Sequence, residues 1–333
     1  MSRITILGGG SWGTSLAIVL ARRGGHELTL WVRNSSLAET IQRERVNSVY
    51  LPGFPVPREV RVTADEREAA ASAEILLGVM PSAFSRSIYT RILPHLRADA
   101  VIVSATKGLE PGTRARMTQV IAKTVSQRFP ARTAVLSGPS FAAEAARGDP
   151  TALVLASEDH GLASRLQDEL SGPGFRLYTN ADVRGVEYAG ALKNVIAIAA
   201  GTCEGLGLGS NTLAALITRG LAEMTRLVLA LGGTAETLSG LAGLGDLVLT
   251  CTGALSRNRR VGIELGKGRQ LGEILAGMRM VAEGVHTTDA MIELAAAQQV
   301  TVPIAEQVQA VLHGKTTPAD ALRAIMERPL KRE

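Results

Sequence analysis

The amino-terminal segment contains a glycine pattern that suits a phosphate group. The residues Gly8-Gly9-Gly10-Ser11-Trp12-Gly13 fit G-x-G-x-x-G, follow an apolar run at Ile4–Leu7 and open a helical stretch. Gly8 allows a tight turn, Gly10 lets the backbone approach a pyrophosphate, and Gly13 lets the helix pack on the strand. The helix N-terminus offers N–H groups and a positive dipole end to the phosphates. The pattern predicts a dinucleotide site, and an ordinary glycine-rich turn is the alternative.

The end of the second predicted strand bears on the choice of dinucleotide. An Asp or Glu there would bind the ribose 2′-hydroxyl of NAD. Here the strand ends Trp31-Val32-Arg33-Asn34, and Glu27 stands at its start. The Arg33 guanidinium can instead accommodate the 2′-phosphate of NADP. We predict that NADP(H) is preferred or at least accepted, with NAD(H) possible; as the alternative, Arg33 is only a surface arginine.

Two of the six lysines stand where chemistry is expected. Lys107 comes just after the apolar run Ala100–Ser104, hence at the carboxyl end of a strand, where ligands bind in open sheets. Lys193 interrupts the apolar helical stretch Val186–Ala197, and lysine is seldom fully buried without a partner or a role. The alternative for Lys193 is a side chain whose ammonium group reaches solvent.

Two further segments carry polar groups at predicted turns. Leu136–Ala142 passes from a strand into a helix, and Ser140 is able to cap that helix. Gly243–Thr250 is followed by Ser256-Arg257-Asn258, in which Ser256 is typical of an N-cap. Arg257, Asn258 and the first-turn N–H groups then surround one point, which favours a phosphate site. A solvated basic turn is the alternative.

The alternation of elements predicts two domains. Apolar strands alternate with helices up to Asn180–Asp182, as in a doubly wound α/β domain with buried parallel strands, and only helices follow. We assign 1–181 to the dinucleotide-binding domain and 182–333 to an all-helical substrate and catalytic domain, with a loose polar tail at Pro329–Glu333. The predicted strands are Ile4–Leu7, Glu27–Val32, Ile75–Val79, Ala100–Ser104, Ala134–Leu136, Ala152–Leu155 and Arg176–Tyr178. Examples of the helices predicted between the strands are Ser11–Arg23 and Thr113–Arg128, and the helices predicted for the second domain are Val183–Ala200, Thr212–Leu231, Arg257–Leu265 and Thr287–Gln298.

Composition narrows the class of protein. The net charge is +5, but the charges are scattered and aromatic residues make up only 3%, which disfavours nucleic acid and fits a phosphorylated small molecule. No apolar run reaches the roughly 18 residues that cross a bilayer, and no signal peptide precedes Ile4, so we expect a soluble cytoplasmic protein without membrane insertion. Cys203 and Cys251 form no metal-ligand pattern, so no metal is expected.

Taken in order, seven segments resemble bacterial-type NAD(P)-dependent glycerol-3-phosphate dehydrogenases. The likeness spans about residues 4 to 325. It implies a Rossmann-type N-terminal domain, an all-α C-terminal domain, a site in the cleft between them, and a homodimer. The implied reaction is interconversion of dihydroxyacetone phosphate and sn-glycerol 3-phosphate by hydride transfer, which supplies glycerophospholipid synthesis. The segments are GGGSWGT, SATKGLE, LSGPSFAAE, AGALKNVIAIAAG, NTLAALITRG, GLGDLVLTCTGALSRNRRVG and VAEGVHT.

The resemblance also implies a role for individual residues. Lys193 would be the catalytic proton donor and acceptor. The residues implied to contact the substrate are Lys107, Gly138, Ser140, Lys193, Asp246, Ser256, Arg257 and Asn258. The residues expected to line the dinucleotide, including those of the glycine pattern, are Gly8, Gly10, Ser11, Trp12, Gly13, Arg33, Lys107, Ala142, Arg257, Val281 and Glu283.

Two other functions are compatible with parts of this pattern. One is a related two-domain dehydrogenase with another substrate; a sugar-nucleotide enzyme of that kind needs a cysteine nucleophile, and we interpret Cys251 as a packing residue. The other is a non-catalytic NAD(P) sensor, which has no need of Lys193, Asp246 and the Ser256–Asn258 turn together. The sequence leaves open the preference between NADP and NAD, the oligomeric state, any feedback regulation, the physiological direction and the pKa of Lys193.

Overall fold

The computed structural model describes residues 1–278 and 280–330 in two units. The first unit comprises Met1–Glu110 and Ala115–Val183, and the second comprises Pro111–Arg114 and Arg184–Glu333. The short Pro111–Arg114 segment belongs to the second unit because it is tied there: Arg114 Nη1 donates to Glu293 Oε2 at 2.5 Å. Of the predicted polar tail, residues 331–333 lie outside the described residues.

The first unit, all of whose residues are described, is an α/β domain of the Rossmann type. Eight strands form one sheet in the order β10-β9-β8-β7-β6-β1-β2-β5, and β3 pairs with β4 in a small antiparallel sheet. The strands are β1 (Ser2–Leu7), β2 (His26–Trp31), β3 (Val46–Asn47), β4 (Leu51–Pro55), β5 (Val60–Thr63), β6 (Ile75–Gly78), β7 (Val101–Ser104), β8 (Arg132–Ser137), β9 (Thr151–Ala156) and β10 (Phe175–Asn180). The helices are α1 (Ser11–Arg23), α2 (Ser35–Glu44), α3 (Glu66–Ala71), α4 (Ser82–Ile92), α5 (Met117–Val125), α6 (Ala142–Arg147) and α7 (His160–Leu170).

Both faces of the large sheet are buried. Along β6, Ile75 and Leu77 enter one apolar cluster while Leu76 enters the other. The same alternation holds on β7, where Val103 and Ile102 face opposite layers. Strands covered on both faces read as continuous apolar runs, which is the pattern from which the α/β domain was predicted.

All seven predicted strands are present, but three features of the first unit differ from the sequence prediction. Three strands were missed: β3 has only two residues, β4 contains two prolines and a glycine, and β5 alternates apolar and polar residues instead of forming an apolar run. β9 pairs with β8 antiparallel, with Val135 opposite Ala156, whereas parallel strands were predicted. The predicted helix Thr113–Arg128 begins only at Met117, because the positive φ angles of Gly112 (79°) and Arg114 (59°) are incompatible with a helix.

The second unit is helical, and its described residues contain no strand. It includes a π-helical turn at Leu241–Gly245. The helices are α8 (Val183–Gly205), α9 (Ser210–Ala230), α10 (Ala235–Ser239), α11 (Asp246–Thr252), α12 (Arg257–Gly266), α13 (Leu271–Ala276), α14 (Glu283–Ala297), α15 (Pro303–Leu312) and α16 (Pro318–Met326). The prediction of an all-helical second domain is confirmed for the described residues.

Glycines allow α8 and α12 to touch backbone to backbone. A β-carbon added to Gly201 on α8 would lie 1.9 Å from Arg259 O, and one added to Gly262 on α12 would lie 2.0 Å from Ile198 O. Side chains at these positions would force the helices apart, because real β-carbons do not approach within 3.0 Å of such atoms. The glycines therefore set the distance between the two helices that carry Lys193 and Asn258.

A buried carboxylate fixes α15 to α9. Glu223 is 1% exposed and accepts hydrogen bonds from Ile304 N (2.9 Å) and Ala305 N (3.0 Å), which belong to the first turn of α15. Val302, the N-cap residue of that helix, offers no side-chain cap, so Glu223 supplies it from another helix. Burial raises the pKa of Glu223 to about 7.

We expect the contact between α8 and α12 to fail when a methyl group is added. Gly262→Ala should lower the free energy of unfolding by about 2 kcal/mol, since the new β-carbon meets Ile198 O and overpacking of this kind costs roughly 1–3 kcal/mol. Urea unfolding followed by circular dichroism measures the change.

Gly272→Ala is the matched control, because a β-carbon at Gly272 on α13 meets no atom within 4 Å. It should leave stability unchanged or raise it by up to about 1 kcal/mol through helix propensity. Equal stability of the two variants would contradict the packing argument.

Candidate active site

The glycine pattern forms a tight loop between β1 and α1. Gly8 has a φ of 130°, and a β-carbon there would lie 2.5 Å from Val79 O. A β-carbon at Gly13 would lie 1.8 Å from Gly8 O, so the helix packs directly on the turn. At Gly10 a β-carbon would meet nothing within 4 Å. The backbone at Gly10 is therefore open to a ligand, while Gly8 and Gly13 are constrained from within the fold.

The open side of this loop is the N-terminus of α1. Its N-cap is Gly10, which has no side chain to accept a hydrogen bond from the first turn. An uncapped N-terminus with a glycine backbone suits a pyrophosphate, because N–H groups and the helix dipole both favour negative charge. The residues of this loop thus fit a dinucleotide. Ser11 and Trp12 begin the helix and are half-buried, as residues beside a ligand can be.

Arg33 lies at the carboxyl end of β2, in the position that bears on NAD or NADP. It is exposed, and its guanidinium lies 5.5 Å from the ring centroid of Phe84. Asn34 caps α2: its Oδ1 accepts a hydrogen bond from Leu37 N at 2.8 Å, so this side chain is used by the helix. The cationic Arg33 therefore offers a 2′-phosphate partner where NAD-specific folds present a carboxylate.

A second cluster forms at the carboxyl ends of β7 and β8. Lys107 Nζ donates to Gly138 O at 2.7 Å and to Ser140 Oγ at 3.1 Å. Gly138 has a φ of 127°, and Ser140 Oγ donates to Gly138 O at 2.9 Å. The predicted helix cap by Ser140 is wrong: Phe141 occupies the N-cap of α6, and the Ser140 hydroxyl turns to Gly138 instead. Three predicted substrate residues are thus within hydrogen-bond distance of one another.

Lys193 is buried against an acid and a hydroxyl. Its Nζ donates to Asp246 Oδ1 at 2.5 Å and to Thr250 Oγ1 at 2.7 Å. Lys193 is 5% exposed and Asp246 is 1% exposed, so the interpretation of Lys193 as a lysine that reaches solvent is wrong. The arrangement holds a buried amino group in a defined position.

The π-helical turn sets the position of Asp246. Gly245 N donates to Gly240 O at 3.1 Å, and a β-carbon at Gly243 would lie 2.1 Å from Leu238 O. One-turn π segments are rare overall, but those that occur are frequently found at functional sites. Asp246 is the first residue of α11, directly after this turn. The Gly243–Gly245 sequence is therefore the local reason that a carboxylate enters the core at this point.

Ser256, Arg257 and Asn258 open α12 as predicted. Ser256 Oγ accepts from Arg259 N at 3.2 Å, so the predicted N-cap is confirmed. Asn258 is buried; its Nδ2 donates to Asn194 Oδ1 at 2.9 Å and its Oδ1 accepts from Gly284 N at 3.0 Å. The Asn258 amide is therefore oriented by α8 on one side and α14 on the other.

Arg257 points to the residues predicted for the dinucleotide. It is exposed, and its Nη1 donates to Val281 O at 2.8 Å. Glu283 is the first residue of α14, and Val281 is 38% exposed. Ala142, the remaining predicted residue, is the half-buried first residue of α6 in the first unit. The Arg257 guanidinium has five N–H donors, and the Val281 carbonyl accepts a hydrogen bond from one of them.

Thr250 and Asn194 were missed by the sequence prediction. Thr250 also donates to Asp246 O at 2.6 Å, as expected of a residue one turn later on the same helix. Asn194 is adjacent to Lys193 in the sequence and supports Asn258. The usable signal was periodicity: Thr250 lies four residues after Asp246, and residues at this spacing share a helix face.

The described residues offer neither a reactive environment at Cys251 nor a metal-ligand cluster. Cys251 is fully buried, and burial raises the pKa of its thiol to about 12. Among residues 1–278 and 280–330, no group of three or more His, Cys, Asp or Glu side chains is placed to hold a metal ion. No helix in these same ranges has the length and apolar character that a membrane span requires.

The whole chain is similar to known dehydrogenases. A family model described as the NAD-dependent glycerol-3-phosphate dehydrogenase N-terminus matches residues 3–163, and the corresponding C-terminus model matches residues 182–323. The chain belongs to this glycerol-3-phosphate dehydrogenase family. The two models describe the N- and C-terminal parts of one family and match this chain in that order.

Individual relatives agree with the family models. A glycerol-3-phosphate dehydrogenase [NAD(P)+] of Koribacter versatilis is 58% identical over 99% of this chain and 98% of its own length. One of Acidobacterium capsulatum is 55% identical, with 99% of both chains covered. The crystal structure of the Coxiella burnetii glycerol-3-phosphate dehydrogenase is 43% identical, covers 98% of this chain and 99% of its own, and has a TM-score of 0.93.

We expect removal of a single member of the buried ion pair to destabilise the protein. Asp246→Ala should lower the free energy of unfolding by about 3 kcal/mol, because the Lys193 ammonium loses the counter-charge that compensates its removal from water. Chemical denaturation at neutral pH measures the loss.

The double variant Lys193→Met, Asp246→Ala is the informative control. Without a charge on either side, it should recover at least half of the loss, since replacing a whole buried pair by apolar groups costs little. A double variant that is no more stable than Asp246→Ala would show that the pair contributes through packing instead.

Proposed function

We propose that the protein interconverts dihydroxyacetone phosphate and sn-glycerol 3-phosphate, with NADP(H) or NAD(H) as the hydride carrier, and so supplies glycerophospholipid synthesis. The observation that carries the proposal is the buried Lys193 ammonium, held by Asp246 and Thr250, in a chain that matches the dehydrogenase family along both domains. The family resemblance further leads us to propose a cytoplasmic homodimer.

Lys193 is the proposed proton donor and acceptor. When bound, the nicotinamide supplies or receives a hydride at C4, and substrate C2 is its partner. In reduction, the ketone oxygen gains negative charge and takes a proton from Lys193 Nζ. In oxidation, the same nitrogen accepts the hydroxyl proton. Asp246 and Thr250 orient Nζ because each accepts a hydrogen bond from it.

The phosphate of the substrate is the proposed ligand of the α12 N-terminus. Arg257 provides a planar guanidinium, Asn258 an oriented amide, and the first turn of α12 its N–H groups. Binding energy from this remote group would orient C2 for reaction. Lys107, Gly138 and Ser140 form the proposed second set of substrate contacts; the cation of Lys107 stabilises developing negative charge.

The competing functions have weaker support. A sugar-nucleotide dehydrogenase would need a reactive thiolate, and the raised pKa and full burial of Cys251 favour a packing role. A dinucleotide sensor has no use for a buried ammonium and carboxylate beside an ordered amide. The primary test is loss of NADPH absorbance on adding dihydroxyacetone phosphate to the purified protein. Absence of turnover in protein that binds NADPH would refute the substrate assignment.

We expect Lys193→Ala to abolish most catalysis while leaving cofactor binding intact. The loss of kcat should be at least about 100-fold, the usual lower value for a general acid. Stopped-flow and steady-state assays give kcat, and fluorescence titration gives the Kd for NADPH. Lys123→Ala, at an exposed position of α5, is the control and should keep full activity. Near-wild-type turnover of Lys193→Ala would exclude the proposed role.

We expect Arg257→Ala to weaken binding of dihydroxyacetone phosphate. The KM should rise by roughly 10- to 100-fold, because a charge-assisted bidentate contact is lost. Arg260→Ala removes an exposed arginine from the same helix and should leave KM unchanged. An unchanged KM in Arg257→Ala would remove Arg257 from the phosphate site.

We expect Arg33→Gln to change the preference between the two dinucleotides. The KM for NADPH should rise about tenfold or more, since the 2′-phosphate loses its cationic partner, whereas the KM for NADH should stay within about twofold. Parallel assays with both cofactors measure the ratio. Arg43→Gln, exposed on α2, is the matched control. If both KM values changed equally in Arg33→Gln, the discrimination would have to lie elsewhere.

A further inference from the structure

A buried asparagine outside the predicted site residues holds the glycine loop from within the fold. Asn47, in β3, has no exposed surface. Its Nδ2 donates to Gly9 O at 2.9 Å and to Thr14 Oγ1 at 2.8 Å, and its Oδ1 accepts from Tyr50 N at 3.1 Å. Both amide N–H groups and the carbonyl oxygen are therefore engaged. One side chain connects the loop, helix α1 and the segment that follows β3.

The bond to Gly9 O determines which way the next N–H points. The peptide that joins Gly9 to Gly10 is planar and trans, so its C=O and its N–H point in opposite directions. With the Gly9 carbonyl held toward Asn47, the Gly10 N–H points away from Asn47. The backbone at Gly10 is also where a β-carbon would meet no atom within 4 Å. Asn47 therefore orients a donor on the open side of the loop.

Two further contacts keep the loop in this position. Ser11 Oγ donates to Tyr50 O at 2.5 Å, so the segment after β3 holds the loop at a second point. Gly9 packs so closely on Val32 that an added β-carbon would lie 2.5 Å from Val32 Cγ2. Glycine by itself is conformationally free, and freedom in the unbound loop would reduce the affinity for a ligand. These contacts remove that freedom before a ligand binds.

We propose that Asn47 is a positioning residue of the dinucleotide site, which fixes the Gly9–Gly10 peptide for the pyrophosphate group. The proposal rests on the proposed function only in that it takes a dinucleotide as the ligand. The pyrophosphate is common to NADP(H) and NAD(H). Loss of Asn47 should therefore weaken the binding of both dinucleotides by the same factor. Loss of Arg33 should weaken the binding of NADPH alone.

The test measures the Kd of NADPH and of NADH by titrating the fluorescence of the bound nicotinamide, without substrate. Asn47→Ala should raise both Kd values by a similar factor, about tenfold, and leave kcat at saturating cofactor close to wild type. Asn47→Asp should be worse, because a carboxylate oxygen replaces the N–H that faces Gly9 O. Thr14→Val removes one partner of Asn47 and should give a smaller increase in both Kd values.

Ser157→Ala is the matched control. The Ser157 hydroxyl is buried and donates to Thr133 O at 3.0 Å, at the opposite end of the sheet strands from the glycine loop. It should lower Tm and leave both Kd values unchanged, which separates loss of a buried hydrogen bond from loss of loop positioning.

Two results would overturn the proposal. One is a folded Asn47→Ala protein with wild-type Kd values; if that variant fails to fold, unchanged Kd values in Thr14→Val decide the same point. The other is an increase confined to NADPH. Failure of the proposed function is distinguishable: a wild-type protein that binds both dinucleotides but does not reduce dihydroxyacetone phosphate refutes the substrate and leaves the Asn47 measurement valid.

Discussion

The ion pair between Lys193 and Asp246 places the strongest demand on the second unit. Two charges removed from water are costly unless their geometry is good and their remaining hydrogen bonds are made. Thr250 supplies one of these bonds, and the two helices that carry the pair must therefore be held at a fixed distance. The π-helical turn before Asp246 sets the point at which α11 enters the core, and the bare glycine contacts hold α8, which carries Lys193, against α12.

In the first unit, the groups proposed to bind a charged ligand belong to the backbone and not to side chains. In the proposed dinucleotide site, the recognition elements would be the backbone N–H groups and the dipole of α1, whose N-cap Gly10 has no side chain. Backbone donors need no side chain, but they need a fixed conformation. The positive φ of Gly8, the packing of Gly13 on Gly8 O and the buried amide of Asn47 each contribute to that conformation.

The two units together account for the chemistry expected of a dehydrogenase of this family. One provides a glycine loop and a lysine hydrogen-bonded to Gly138 and Ser140, and the other a buried lysine, proposed as the proton carrier, and an ordered asparagine amide. The full burial of Cys251, which raises the pKa of its thiol, fits this assignment, because hydride transfer to a ketone needs no thiolate.

The sequence by itself determined the class of each unit, seven of the eight strands of the main sheet and the residue types of the proposed site. It could do so because apolar runs, glycine spacing and N-cap residues act over a few neighbouring positions. It did not reveal that β9 runs antiparallel to β8, or that the positive φ angles of Gly112 and Arg114 make α5 begin later than predicted. It also did not reveal that Ser140 bonds to Gly138 while Phe141 occupies the N-cap position of α6. Nor did it reveal the partners of Lys193 or the role of Asn47. These features depend on pairings between residues far apart in the chain, such as Lys193 with Asp246 and Asn47 with Gly9, and only the tertiary packing that buries them decides which polar groups meet.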